Sequence, residues 1–293
     1  MNITILSRNA ALYSTQSLIK AARERNHFVR VIDYANCDFV IRNGKPDVEY
    51  FGESLYDTDA VIPRIGATYT KLGVGLLRQL EVMDIFSVLS SRALSNSRDK
   101  LSCLQVLVKN DLLVPHTLIL HNGHMYEELV DTIGEYPVII KLISGTHGIG
   151  VLKAESRSQA VSLLETFNKT KQKVLVQEFI EEAKGADYRL FVVDGEVVAA
   201  MKRQAKAGEF RSNLHRGGFA EAVKPTEEEK EVALKAVKLL GLHVAGVDML
   251  RSNRGPMILE VNASPGLEGI ENTTRVDIAG KIIQFIERSI QHA

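Results

Sequence analysis

Ala245-Gly246-Val247-Asp248-Met249-Leu250-Arg251-Ser252-Asn253-Arg254-Gly255-Pro256-Met257-Ile258-Leu259-Glu260-Val261-Asn262 is two apolar runs on either side of a polar turn. Runs of this length, rich in β-branched and other apolar residues, read as strands, Ala245–Leu250 and Met257–Val261. A three-residue loop Asn253-Arg254-Gly255, with glycine at its left-handed last position, would join them as a hairpin. Ser252 then pairs with Pro256, and counting back places Asp248 opposite Glu260. Glu260 and Asn262 are two apart on one strand and share a face. Each of these side chains alone could be a solvated position on a half-exposed sheet. Together, among Val247, Leu259 and Val261, the oxygens of Asp248, Glu260 and Asn262 fit a hard divalent cation better.

Working outward, Leu190–Val193, Asp194-Gly195 and Glu196–Met201 form a second hairpin signal, because Asp-Gly supplies the positive φ angles of a type I′ turn. A helix is expected over 225–240, with Thr226 as its cap and Glu227, Glu228 and Glu229 in its first turn. Another is expected from about 277 to the end. Between the hairpins lie Lys202-Arg203 and the polar, glycine-bearing run Arg211-Ser212-Asn213-Leu214-His215-Arg216-Gly217-Gly218. Arginine binds planar oxyanions bidentately, although such a run is also what a solvated basic loop looks like. These elements make a unit spanning 181–293.

Upstream, 96–180 forms a second unit. A helix over about 98–110 opens it, followed by strands at Thr117–Leu120, 137–141, Val151–Ala154 and Val174–Gln177, and helices over 124–134 and 156–168. Lys141 ends a buried strand, and Ser144-Gly145-Thr146-His147-Gly148-Ile149-Gly150 follows. Glycines let backbone N–H groups approach phosphate oxygens. Since a strand comes next, this is neither a P-loop nor a dinucleotide fingerprint, and by itself it equally fits an ordinary β-turn. His147 reads as an exposed turn residue.

The first unit, 1–95, alternates strand (2–6), helix (14–26), strand (Val29–Ile32), strand (58–65) and helix (71–86, with Leu72, Leu76, Leu80 and Met83 on one face), a small parallel α/β domain that ends near the polar Ser95-Asn96-Ser97. The fold class is therefore α/β, a parallel α/β domain followed by two α+β units. The 293 residues exceed one comfortable core. The formal net charge is +0, so no whole-protein field recruits nucleic acid or membrane. Cys37 and Cys103 have no metal-type spacing and read as free thiols. No apolar stretch reaches membrane-spanning length and no signal segment is visible, so a cytoplasmic protein is expected. Gly-x-Ser-x-Gly, HExxH and kinase signatures are missing, which leaves chemistry run by metal, phosphate and positioning.

Lys141 with its Gly-rich loop, Asp248, and Glu260-Val261-Asn262-Ala263-Ser264-Pro265-Gly266 resemble the ATP-grasp superfamily. Ile62-Pro63-Arg64-Ile65-Gly66, Ser97-Arg98-Asp99-Lys100, the Arg211–Gly218 run and Gly266-Leu267-Glu268-Gly269-Ile270-Glu271 narrow the resemblance to the RimK family, over essentially the whole chain. It implies a carboxylate–amine ligase in which two α+β subdomains clamp ATP. Members of the family add L-glutamate to the C-terminus of the sixth small-subunit ribosomal protein, and poly-glutamate is a conceivable product. It implies that Lys100 and Lys141 contact ATP phosphates, that Glu178 and Phe179 border adenine, and that Asp187 reaches the nucleotide. Arg211, Ser212 and Asn213 would line the phosphate side. Asp248, Glu260 and Asn262 would bind two Mg²⁺ or Mn²⁺ ions, with Glu260 bridging, and Arg203 would steady an acyl-phosphate. A substrate carboxylate is expected at Arg64 or Arg216. Ligases of this type are often tetramers, so a homo-oligomer is expected. Where the family often has a second arginine after Arg203, this chain has Gln204. Other readings of the same residues are a different amino-acid or γ-glutamyl cofactor ligase, and a nucleotide-binding regulatory protein with little turnover.

Overall fold

The computed structural model describes residues 1–120, 126–143, 150–206, 208–212 and 217–291. Its first 63 residues begin a four-stranded parallel sheet: Phe28–Ile32, Asn2–Leu6, Ala60–Pro63 and Phe86–Ser87, in that order. Parallel strands need crossovers, and the helices Tyr13–Glu24 and Thr70–Val82 supply two of them. The second helix stops four residues short of its expected end: Asp84 takes a positive φ of 57°, and Phe86 has already joined the sheet. Between the second and third strands sits a small antiparallel sheet of Cys37–Arg42, Lys45–Tyr50 and Glu53–Ser54, in a stretch to which the sequence reading assigned no element. Its signal was Asn43-Gly44, both with positive φ, the pair that a two-residue hairpin turn favours.

The helix expected over about 98–110 is Lys100–Lys109, and a further helix, Ser91–Arg98, runs directly before it. Asp99 separates them. Its backbone is extended (φ −83°, ψ 107°), and its side chain accepts from Ser102 N, so it caps the second helix while ending the first. Ser95-Asn96-Ser97, read as a boundary stretch, lies inside the first of these helices. A four-stranded antiparallel sheet follows, in the order Val151–Ala154, Val138–Leu142, Val174–Glu178, Thr117–Leu120. Helix Arg157–Lys169 covers it and packs with it around Val138, Ile140, Ala160, Leu164 and Val176. The helix expected over 124–134 is described as Tyr126–Val130. The Gly-rich loop falls on residues 144–149, outside the described residues.

A five-stranded antiparallel sheet completes the fold, ordered Phe219–Ala222, Glu196–Gln204, Ala186–Val193, Val244–Ser252, Gly255–Asn262. The Asp194-Gly195 turn has both residues at positive φ, 50° and 74°, as a type I′ hairpin requires. Helix Glu227–Leu239 begins with a full capping box between Thr226 and Glu229. Two more helices, Glu268–Thr274 and Ile278–Gln291, close the chain. The last packs its apolar face into one core with Ile3, Ile5, Leu18 and Ala22 of the first unit and Phe191 of the five-stranded sheet. A second core joins Leu6, Val61, Leu76 and Leu94 to Leu190, Val247 and Val261. The first and third units are thus packed through shared cores, whereas the central sheet has its own. No helix among the described residues is long and apolar enough to cross a membrane.

Candidate active site

The expected pairing of Asp248 with Glu260 is present, but the backbone reaches it by another route. The turn has two residues, Asn253 and Arg254, with Ser252 opposite Gly255 rather than Pro256. A regular ladder from that turn would set Leu259 opposite Asp248 and throw Glu260 to the other face. A β-bulge between Met249 and Asp248 absorbs the extra residue, so Ile258 faces Met249 and Glu260 faces Asp248. Asn262 pairs with Gly246, two positions further on the same face. At Gly246 a side chain would sit 3.0 Å from Pro265 Cβ, which leaves little room for anything larger there.

All three residues line one cleft of about 920 Å³ with Lys100, Lys141, Glu178, Phe179, Asp187, Arg203, Arg211, Ser212 and Arg64. The structure therefore gathers every described residue of the expected site. Asn213 and Arg216 lie outside the described residues.

The cleft floor is a lattice of carboxylates and guanidiniums. Arg189, directly opposite Asp248 on the next strand, donates from Nε and Nη2 to its two oxygens at 2.6 Å each. Arg203 donates from Nε (2.6 Å) and Nη2 (2.8 Å) to Asp187 and lies 3.0 Å from Asp248. Ser212 Oγ also donates to Asp187. Burial pushes the Asp248 carboxyl up, but Arg189 and Arg203 outweigh it and hold it below the usual range. Arg203, only 5% exposed, is held charged by Asp248 and Asp187 against the cost of burial. Arg189 was not anticipated. The strand was expected to start at Leu190, because Asp187-Tyr188-Arg189 breaks the apolar run, yet Asp187 and Arg189 are two apart on one strand and aim at the same cleft.

On the central sheet, burial lowers the Lys141 ammonium to about 8, partly offset by Glu260 and reinforced by Lys100. Its Nζ donates to Gln177 Oε1 at 2.5 Å. Glu178 Oε1 accepts from His116 N (2.7 Å) and from Arg254 (2.6 Å), so the turn of the Asp248–Glu260 hairpin touches the strand end beside Phe179. The ring of Phe179 lies 4.5 Å from Lys153 Nζ. Arg211 is paired with Glu209, whose carboxyl that guanidinium draws down to about 2. From the first unit, Arg64 donates to Pro265 O at 2.7 Å, and Arg98, at the end of helix Ser91–Arg98, donates to Ile65 O at 2.6 Å. Burial lowers both, Arg64 to about 10 with Arg98 adding repulsion, while Glu260 partly restores Arg98.

Among the described residues no three His, Cys, Asp or Glu side chains converge, so a cation here would depend on Asp248, Glu260 and the neutral oxygen of Asn262. Asn262 fits that role. Its Nδ2 is buried with no hydrogen-bond partner among the described residues, an arrangement that costs about 1–3 kcal/mol. Turning the amide would place Oδ1 there, an oxygen acceptor without a donor, as a cation site needs.

The chain matches the RimK pre-ATP-grasp domain over residues 1–94 and the RimK-like ATP-grasp domain over residues 97–286. It is 53% identical to a probable alpha-L-glutamate ligase of Hydrogenovibrio crunogenus and 52% identical to one of Vibrio cholerae, each over 289 residues, covering 99% of this chain and 96% of the relative. The solved structure of the ATP-grasp ligase PsnB complexed with a phosphomimetic variant of its minimal precursor, Mg and ADP is similar with a TM-score of 0.75 at 22% identity, over 98% of this chain and 97% of that one. That likeness carries the fold: two antiparallel sheets facing a cleft behind a parallel α/β unit. The chain belongs to the RimK family of ATP-grasp ligases.

Proposed function

We propose that this chain adds L-glutamate to the C-terminal carboxylate of a protein, the sixth small-subunit ribosomal protein, in the cytoplasm, by way of an acyl-phosphate made from ATP, and that repeated addition makes poly-glutamate. The observation that carries the reading is Asp248 opposite Glu260, with Asn262 on the same face, across one cleft from Lys141. Glutamate as the amino acid rests on the relatives above, named probable alpha-L-glutamate ligases at 52–53% identity.

The chemistry follows from the acceptor. A carboxylate is a poor electrophile. Its oxygen attacks the terminal phosphorus of ATP, ADP leaves, and the resulting mixed anhydride is open to an amine. The glutamate nitrogen then bonds to the acyl carbon, the carbon–oxygen bond breaks, and inorganic phosphate departs. Catalysis of phosphoryl transfer is mainly positioning plus charge stabilisation. In this reading Lys100 and Lys141 hold the phosphates, Glu178 and Phe179 border adenine, and Asp187, Arg211 and Ser212 lie along the nucleotide, with Asn213 joining them. Arg203 sits between Asp187 and Asp248, where it would steady the acyl-phosphate. Asp248, Glu260 and Asn262 would hold Mg²⁺ or Mn²⁺, two ions, whose charge offsets that of the transferring group. Arg64, or Arg216, would meet a substrate carboxylate. The ligase works as a homo-oligomer, a tetramer.

Intact-mass spectrometry of the purified ribosomal protein after incubation with this ligase, ATP, Mg²⁺ and L-glutamate tests the proposal, with ADP release followed in parallel. Glutamate-sized increments that require ATP are the expected result. ADP release with only a small γ-glutamyl acceptor would favour a cofactor ligase. ATP binding with no ADP from any acceptor would favour a regulatory protein.

A further inference from the structure

Thr117, Gln177 and Lys141 stand on one face of the central sheet. Thr117 is directly opposite Gln177, while Lys141 is opposite Leu175, two residues along. Diagonal neighbours of this kind are within reach of long side chains. The hydrogen bonds among them run in one direction. Thr117 Oγ1 donates its only proton to Pro115 O at 2.7 Å. The hydroxyl oxygen therefore accepts, and it takes a bond from Gln177 Nε2 at 2.8 Å. That leaves Gln177 Oε1 facing the ammonium of Lys141 at 2.5 Å.

We propose that Gln177, oriented by Thr117, is the positioning residue for Lys141 and sets the lysine ammonium toward the nucleotide phosphates. The proposal rests on the reading of Lys141 given above. The amide cannot turn over without opposing two donors at Lys141 and two acceptors at Thr117. Gln177 is 3% exposed, so neither end can turn to water instead. A neutral acceptor also suits the task. A carboxylate in its place would form an ion pair with the lysine and compete with phosphate, whereas an amide oxygen fixes the side chain and leaves its charge for the ligand. Burial already disfavours the ammonium, so it gains more from a fixed acceptor than an exposed lysine would.

Calorimetric binding of AMPPNP with Mg²⁺, set beside KM, kcat and the melting temperature, tests this on Gln177→Leu, Thr117→Val, Lys141→Met and the Lys141→Met/Gln177→Leu pair. A hydrogen bond to a charged group sets the scale, so Gln177→Leu should weaken AMPPNP about tenfold and raise KM for ATP but not for glutamate. Thr117→Val should act in the same direction by about threefold, since it only frees the amide. In the Lys141→Met background, Gln177→Leu should add nothing. A further tenfold loss there would overturn action through the lysine. Parent-like affinity in both Gln177→Leu and Thr117→Val, with Lys141→Met weakened, would overturn the relay alone. Parent-like affinity in Lys141→Met would overturn the reading of Lys141 itself. Should Gln177→Leu fail to melt cooperatively, Thr117→Val decides.

Discussion

Lys141 is held in a place that burial makes costly for a charge. Its ammonium falls from the ordinary 10.5 to about 8, so between those values the unfolded chain binds more protons than the folded one. This group therefore adds stability as pH rises through that window, and subtracts it below. Lys141→Met should raise the melting temperature, by about 1 kcal/mol of stability once the cleft's solvent is allowed for, while weakening ATP binding. In the parent, ATP affinity should fall as pH climbs above about 8, and in Lys141→Met it should be flat there; calorimetry across pH 7–9.5 checks both. Asp248→Asn and Glu260→Gln should each lower ADP release by about 100- to 1,000-fold, with the fold unchanged by circular dichroism, because in the proposed function each removes a negative ligand for the cations that would offset the charge of the phosphoryl group. A double variant working at full speed would sink the proposed function. Arg189 and Arg203 explain why the cleft floor tolerates its buried acids: Asp248 pairs with both guanidiniums, and Asp187 with Arg203.

Among the elements, the hairpin that carries Asp248 and Glu260 depends on a compensation. A two-residue turn alone would misplace Glu260, and the bulge at Leu259 restores it. The hairpin is then braced from behind. Arg251 donates to both oxygens of Glu229 in the first turn of helix Glu227–Leu239, and the same carboxylate caps Thr226 N at 2.8 Å. Thr226→Ala should cost about 1 kcal/mol by urea denaturation, the usual value of an N-cap. Glu229→Ala removes the cap partner and the brace together, and should cost more, about 2 kcal/mol. Asp99 shows the same economy, ending one helix and capping the next so that Lys100 stands at a helix start lining the cleft.

At the scale of the molecule, the chain's two ends are bound to one another. Helix Ile278–Gln291 lies in one core with Leu18 and Ala22, and Glu287 accepts from Arg25 at 2.5 Å and from His27 at 2.8 Å. Ile283, fully buried there, should cost about 2–4 kcal/mol as Ile283→Ala. Probes placed in the first and last units should report the same lowered midpoint, because one core serves both. The central sheet, with its separate core around Val138, Leu164 and Val176, should shift less. Two transitions of unequal response would support that division, and a uniform shift of all probes would count against it.

What residue order determined by itself was everything local or periodic. The apolar runs Ala245–Leu250 and Met257–Val261, the Asp194-Gly195 turn and the Thr226 cap depend on neighbours a few positions away, so they could be read directly. So could the convergence of Asp248, Glu260 and Asn262, since a strand pair carries its own geometry; the count came out right even though turn and bulge each differed by one residue in compensating directions. The Asn43-Gly44 turn is a signal of the same local kind. Tertiary structure alone decided the rest. Arg189 became the partner of Asp248 only because a strand distant in sequence lies beside it, Gln177 gained its role from three strands meeting, and the last helix joined the first unit because its apolar face needed burial that nothing nearby in the chain offered. Such pairings are set by which surfaces can be taken out of water together, a property of the assembled layers and not of any window of sequence.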